Sequence, residues 1–392
     1  MTIKLYYDNL YLKEFDSKVE KIEEIDGKYH VVLQRTAFYP EGGGQPCDIG
    51  TIDGLKVIYV YEKDNLIYHV MEEKINKKKV KGIIDFNRRF DYMQQHTGEH
   101  ILSGVFKYLY GANNDSFHLG EEYVSIDIDI KNLTKDMVSK VEDIADSIIS
   151  MDLPVKTYVV DDLKTQEITL RKKVNVEKNI RVVQIGNFDF SGCCGTHVEN
   201  TCQVETIKIL KWENYKGKTR VYFKCGERVN KDYNKKHEIL STVYQILGCK
   251  LDQVIPTTRE NQNAIKSLNK EVKDLKEKIV FLETKEILRN LGEKKLINKI
   301  FKDETLQDIE LYIKELNKNK ECIILALSEV DKQVVLTYNG EFPIECGKIF
   351  KEDIKSFDGK GGGNKKRAQG VFESNEKALE FYNYLLEKIP AL

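Results

Sequence analysis

The chain has 392 residues, 41% of them hydrophobic and 32% charged, with 62 Lys and Arg against 63 Asp and Glu. That length exceeds one ordinary core and points to two or three domains, while a net charge of −1 excludes global attraction to nucleic acid, so that any such binding must use local patches. There is no apolar run of 18 residues and no secretory leader, and eight cysteines spread along the chain, two of them adjacent, argue for a reducing cytoplasm rather than a disulfide framework or a membrane.

Residues 1–87 read as strands. The opening MTIKLYYDNLYLKEF has a mixed strand pattern, and KYHVVLQRTAFY, TIDGLKVIYVY and NLIYHVM are separated by Asp-Gly and Asp-Asn turn signals, which predicts a small β-barrel. Within it lies FYPEGGGQPCDIG, residues 38–50. No helix holds three consecutive glycines; Gly42, Gly43 and Gly44 permit positive φ and close approach of the backbone to a ligand. Phe38, Tyr39 and Pro40 stiffen the entry, and Gln45 offers an amide at the exit. The element matches neither G-x-G-x-x-G nor a P-loop, so nucleotide binding by those modes is not supported. KINKKKVKG, residues 74–82, reads as an ordinary solvated basic turn.

From Arg88 to Tyr110 apolar residues recur at helical spacing, and Gly111 is a stop signal. HTGEH, residues 96–100, puts His96 and His100 on one face, where they can converge on one ion or simply face solvent. Gly98 and Gly104 each cost the helix roughly 1 kcal/mol relative to Ala, which implies that something passes close to the backbone. YVSIDIDI follows as a strand, then a helix from Thr134 to Met151 with Thr134 as N-cap, strands near 155–160, 180–185 and 202–211, and the strand TRVYFKCG. SGCCGTH, residues 191–197, sets Cys193 and His197 around a short turn. It reads either as a buried cysteine beside a hydrogen-bonded histidine or, with His96 and His100, as one His-His-Cys-His set of the donors zinc prefers. The C-x-x-x-H register favours Cys193 over Cys194.

From about residue 256 the texture changes. Ile265, Leu268, Val272, Leu275, Ile279 and Leu282 step by three and four, an a/d seam of about two and a half heptads, suited equally to a coiled coil and to a helix packed on its own chain. Residues 300–392 form an α/β unit, with ECIILALSEV and KQVVLTYN as buried strands and NEKALEFYNYLLEKI as an amphipathic helix. Between them DGKGGGNKKRAQG reads as a basic loop: Lys360, Lys365, Lys366 and Arg367 surround the exposed backbone amides of Gly361, Gly362 and Gly363, which suits phosphate or RNA as well as plain solvation.

These motifs resemble a known family. HTGEH resembles the H-[ST]-A-x-H element of the alanyl-tRNA synthetase editing domain and its free-standing AlaX relatives, and CCGTH resembles their C-G-G-T-H. FYPEGGGQPCDIG is close to their glycine-rich element, and GKGGGNKKRAQG is similar to the signature of the DHH-associated domain. The four motifs stand in the family's order over nearly the whole chain. Two positions depart from the pattern: Cys194 replaces a Gly and Gly98 an Ala.

The resemblance implies an α+β multidomain fold. Its parts are a β-barrel with the glycine-rich loop (1–87), a zinc-containing editing domain (88–250), a helical connector (256–295) and a DHH-associated tRNA-binding domain (300–392). It implies one Zn2+ per chain held by His96, His100, Cys193 and His197, and hydrolysis in trans of Ser-tRNA(Ala) or Gly-tRNA(Ala), since no aminoacylation domain precedes residue 1. Substrate contacts are then expected from Gly42, Gly43, Gly44, Gln45, Ser116 and His118, with Asp189 on the α-ammonium group. Gln45 and Glu99 are the candidate catalytic groups, the four ligands leaving the metal an ordering role while water attacks. The acceptor end of tRNA(Ala) would enter between loop and zinc, and the C-terminal basic loop would hold the tRNA body. The heptad helix or the C-terminal domain would pair two subunits. The rival readings are an RNA-binding module with a structural zinc, a threonyl-type editing domain, a DHH phosphodiesterase, and an inverzincin with Glu99 as base, which leaves Cys193 and the glycine loop without a role.

Overall fold

The computed structural model describes residues 1–162, 168–172 and 178–389. Two compact units divide the chain, residues 1–242 and 243–392. In the first, the strands Glu14–Ile25, Lys28–Leu33, Leu66–Met71, Leu55–Lys63, Gly50–Ile52 and Lys79–Ile84 pair each with the next and the last with the first, closing a ring. Three of its hairpins turn on Asp26–Gly27, Asp53–Gly54 and Asp64–Asn65, every one of these residues at positive φ, as two-residue hairpin turns require. Val31, Leu33, Ile52, Val60, Ile67 and Met71 fill the interior. At the N-terminus only Ile3–Lys4 is strand, and Leu5–Asp8 makes a helical turn instead. The turn brings the rings of Tyr6 and Tyr7 edge to face at 4.6 Å, whereas a strand would send them to opposite faces.

The helix Phe86–Tyr110 leaves the ring through Asp85, whose carboxylate accepts the amide of Arg88, and ends at Gly111 with φ 66°. It packs with the helix Lys135–Ser150 on a four-stranded antiparallel sheet, in the order Ile207–Tyr215, Lys218–Cys225, Val124–Ile128, Asn114–Leu119. Thr134 caps the second helix by accepting the amide of Met137. Strict alternation along Lys218–Cys225 buries Val221 and Phe223 against Leu102, Val105 and Phe106 of the first helix. The strand expected near 202–211 begins only at Ile207, because Thr201–Val204 forms a helical turn in which the Thr201 hydroxyl donates to the Ile148 carbonyl. A third sheet joins Val155–Asp162, Lys178–Ile185 and Asp189–Gly192.

The ring and the long helix are fastened by one buried ion pair. Arg89 and Asp48 are both fully buried. The Arg89 Nε donates to both Asp48 oxygens at 3.0 Å, and its other nitrogens donate to the carbonyls of Ala37 and Leu10. The Tyr39 amide donates to Asp48 Oδ2 at 2.7 Å. Asp48 therefore fixes the glycine-rich loop to the helix that carries HTGEH.

The second unit holds the helix Val254–Leu291 and a five-stranded sheet, in the order Leu296–Phe301, Ile323–Ser328, Gln333–Tyr338, Arg367–Val371, Lys360–Gly363. Ile323–Ser328 is buried along its whole length, since Leu306–Asn319 covers one face of the sheet and Asn375–Lys388 with Cys346–Asp353 covers the other. The glycines expected to form a basic loop are an edge strand instead: Gly361 pairs with Gly370 and Gly363 with Ala368. A Cβ on Gly361 or Gly363 would overlap the carbonyl oxygen of Gln369 or Arg367, so the triplet serves close approach of two strands. Arg367 forms an ion pair with Glu310, and Lys366 donates to the Gly340 carbonyl, which breaks up the expected cationic cluster. Among the described residues no helix is long and apolar enough to cross a membrane.

Two outcomes are expected in denaturant titrations. Asp48→Ala leaves the Arg89 guanidinium buried and unpaired, and should cost about 3–5 kcal/mol; replacing both partners with apolar residues of similar size should cost less than the single change. The second concerns His69. It is fully buried, lies 2.8 Å from the Thr36 hydroxyl and 2.9 Å from the Val31 carbonyl, and burial lowers its pKa to about 4. Because an unfolded histidine titrates near ~6.5, its contribution is complete above that pH and lost as the pH falls towards 4, an acid loss of about 3 kcal/mol that His69→Gln should remove.

Candidate metal centre and cavity

His96 and His100 sit one turn apart with ring centroids 5.4 Å from each other. The turn after the strand Asp189–Gly192 delivers Cys193 and His197 to the same place, and the donor atoms of all four lie within 4.8 Å of one another. The Cys193 Sγ is 3.3 Å from His96 Nε2 and 3.4 Å from His197 Nε2. Two donors about 2.0–2.3 Å from one ion at a tetrahedral angle stand roughly 3.5 Å apart, close to the separation of Cys193 from His96 and from His197, so the group could hold a metal ion.

Each imidazole turns its Nδ1 to a supporting group. His96 Nδ1 donates to Gln45 Oε1 at 3.0 Å, His197 Nδ1 lies 3.2 Å from the Thr97 hydroxyl, and His100 Nδ1 lies 3.4 Å from Asp189 Oδ2. This is the outer-shell arrangement that fixes tautomer and ring orientation in metal sites. Burial raises the pKa of the Cys193 thiol, but His96, His197 and His100 outweigh it and hold it well below the ordinary thiol range. Burial, with the charge of His96, holds His197 well below the ordinary histidine value. Burial lowers the His100 value, but Asp189 and Cys193 outweigh it and raise it to about 10, so metal binding there would release a proton; a thiolate and neutral imidazoles are the forms that bind metal.

The glycines of the helix find their reasons here. A Cβ on Gly98 would overlap Cys225 Sγ, and one on Gly104 would press on the Phe188 ring. Gly195 leaves room for the His96 ring in the same way. The cysteine turn is braced by residues that carry no motif: Arg181 donates to the carbonyls of Cys193 and Gly195, while the hydroxyls of Tyr7 and Tyr39 both donate to that of Cys194. The Cys194 residue is exposed, and the sulfur facing the histidines is that of Cys193.

A cavity of about 450 Å³ opens over the quartet. Of the residues expected to meet substrate, Gly43, Ser116 and Glu99 line it, beside Asn114 and Arg171. Gly42 and Gln45 instead close a tight turn by paired backbone hydrogen bonds, with Gly43 and Gly44 between them at φ 59° and 80° and Gly44 against the Phe117 ring. Gln45 is fully buried, and its amide is spent on Thr196 and His96, so it supports a ligand rather than meeting substrate. Asp189 is 2% exposed; one oxygen accepts from Arg171 Nε at 2.7 Å and the other from Ser191, which leaves it no place for an α-ammonium group. His118 is exposed on the strand opposite Ser125 and does not line the cavity. Glu99 is 5% exposed, its Oε1 accepting from Ser103 and Asn114 and its Oε2 lying 3.7 Å from His100 Nε2. Arg171, which no spacing singled out, bridges this group: it holds Asp189 and reaches within 4.0 Å of Glu99.

Comparison with known proteins bears on the same elements. Residues 180–222 match the model of the threonyl and alanyl tRNA synthetase second additional domain, and residues 4–88 match that of the class II (A) tRNA synthetases. The chain is 33% identical to the alanyl-tRNA editing protein AlaX-L of Pyrococcus horikoshii over 99% of its own length and 98% of the relative's. It is 37% identical to the AlaX-M editing protein of Methanosarcina barkeri, over 57% of this chain and 98% of that one. It is also 30% identical to the alanine–tRNA ligase of Pyrococcus furiosus, aligned with 43% of that enzyme. With such agreement along its full length, and with the quartet assembled beneath a cavity, the chain belongs to the AlaX family of alanyl-tRNA editing proteins.

Proposed function

We propose that the protein hydrolyses the ester of mischarged Ser-tRNA(Ala) or Gly-tRNA(Ala) in trans. The observation that carries the reading is that three of the quartet, His96, His100 and Cys193, line one cavity with Glu99, Arg171 and Ser116. A site built for alanine cannot strongly reject glycine or serine, so a second site that corrects the error has a clear physical use. Zn2+ held by His96, His100, Cys193 and His197 would supply a fixed positive centre that orders the aminoacyl group. Ser116 offers a hydrogen bond to a serine hydroxyl, and Gly43 lets the backbone approach the acyl end. Glu99, held by Ser103 and Asn114, accepts a proton from the attacking water. The water oxygen bonds to the ester carbon, the ester C–O bond breaks, and the proton leaves with the ribose oxygen, giving free amino acid and tRNA.

In this reading residues 1–87 and 88–250 form the editing body, 256–295 the connector and 300–392 the part that holds the tRNA. A cleft of about 630 Å³ in the last of these gathers Lys348, Lys351 and Lys365 against Glu345 and Glu352, a small basic excess for phosphates to meet. The connector seam is bare: Ile265, Leu268, Val272, Leu275, Ile279 and Leu282 are 49–65% exposed. A second copy of the chain is the occupant that heptad spacing suits.

Purified protein, assayed for zinc content, is expected to deacylate Ser-tRNA(Ala) or Gly-tRNA(Ala) while sparing Ala-tRNA(Ala). Tight tRNA binding with a full complement of zinc and no hydrolysis would leave only a binding module. Glu99→Gln should lower kcat by about 10²–10⁴-fold with metal content unchanged. In light scattering the protein should have the mass of a dimer and the pair Leu268→Glu, Leu275→Glu that of a monomer; equal masses would remove the seam as an interface.

A further inference from the structure

The run KINKKKVKG is more than a solvated turn once folded. Its Lys77, Lys79 and Lys81 share the wall of a cleft of about 510 Å³ with Lys18 and Arg35, which come from distant parts of the chain. Only two carboxylates, Asp16 and Asp53, line the same cleft, although acidic and basic residues nearly balance over the whole protein. Two of the lysines are paired, Lys77 with Asp53 and Lys81 with Glu14, which leaves Lys18, Lys79 and Arg35 as the cations that an anion would meet.

The register of the strands makes this gathering costly. Lys18 stands directly opposite Lys79 in the antiparallel pair of Glu14–Ile25 with Lys79–Ile84. Ser17 and Val80, the next pair along, are buried, so the two lysines point outward together. Like charges directly opposite each other in an antiparallel pair destabilise a sheet, where a Lys–Glu pair in the same register would stabilise it. Arg35 is held at the same place by its Nε, which donates to the Asp16 carbonyl at 2.7 Å. An anion seated between these side chains turns the repulsion into attraction.

We propose that this cleft is a docking site for the phosphodiester backbone of tRNA, on the barrel wall and separate from the metal centre. The choice of RNA as the polyanion rests on the proposed function. The cleft would fix the tRNA relative to the barrel without reading its sequence, as phosphate contacts do.

The test uses the full-length protein, uncharged tRNA and a salt series, with deacylation measured in parallel. Lys18→Glu replaces the repulsive pair with an attractive one, so the variant should melt no lower than the parent, and lost binding cannot be ascribed to misfolding. Lys18→Glu with Arg35→Glu should weaken tRNA binding at least tenfold at low salt and flatten log K against log salt by about one unit per phosphate contact removed. Unchanged affinity and slope in that variant would overturn the proposal, as would a parent protein that binds no tRNA. Failure of the editing reading alone would look different: no deacylation, yet tRNA binding that still responds to the charge reversal.

Discussion

The ion pair between Arg89 and Asp48 ties the glycine-rich loop to the helix that bears two of the four candidate ligands. One partner stands in the glycine-rich loop and the other two turns before His96 on the long helix. Neither charge reaches water, so each is tolerable only with the other in place and with its remaining hydrogen bonds filled. The Ala37 and Leu10 carbonyls and the Tyr39 amide fill them. Through this contact the loop is held at a fixed height along the helix, and Gln45 meets His96 rather than some other residue.

From there the support runs outward in layers. The four candidate ligands sit on a helix and a turn; the Nδ1 atoms of the histidines rest on Gln45, Thr97 and Asp189; and these rest on Thr196, Val198, Ser191 and Arg171. The turn that bears Cys193 has its carbonyls occupied by Arg181, Tyr7 and Tyr39. A cavity floor built this way has little freedom to adapt and holds its groups preorganised.

The parts of this that could be read in the sequence are those in which residue type and local spacing carry the chemistry. His96 and His100 repeat at the helical period, Cys193 and His197 offer the matching donors, and the Asp-Gly and Asp-Asn pairs mark turns that require positive φ. What escaped depends on contacts made only when distant segments close. Gln45 and Asp189 look like substrate groups because both are polar and near the motifs, yet tertiary packing assigns each to a ligand histidine. Arg171 and Arg181 stand among other cations with nothing to distinguish them. The C-terminal glycines suggest a loop because glycine is usually read for its freedom, whereas in the folded sheet it is the missing side chain that counts.

That missing side chain has its own meaning at Gly98. Relatives with the H-[ST]-A-x-H pattern place a methyl group there, and in this chain the same space holds the sulfur of Cys225, on a strand more than a hundred residues later. The helix and the strand thus share one fixed volume between them. A methyl added on the helix in this chain would have to displace that sulfur, which ties together two positions that no local pattern connects.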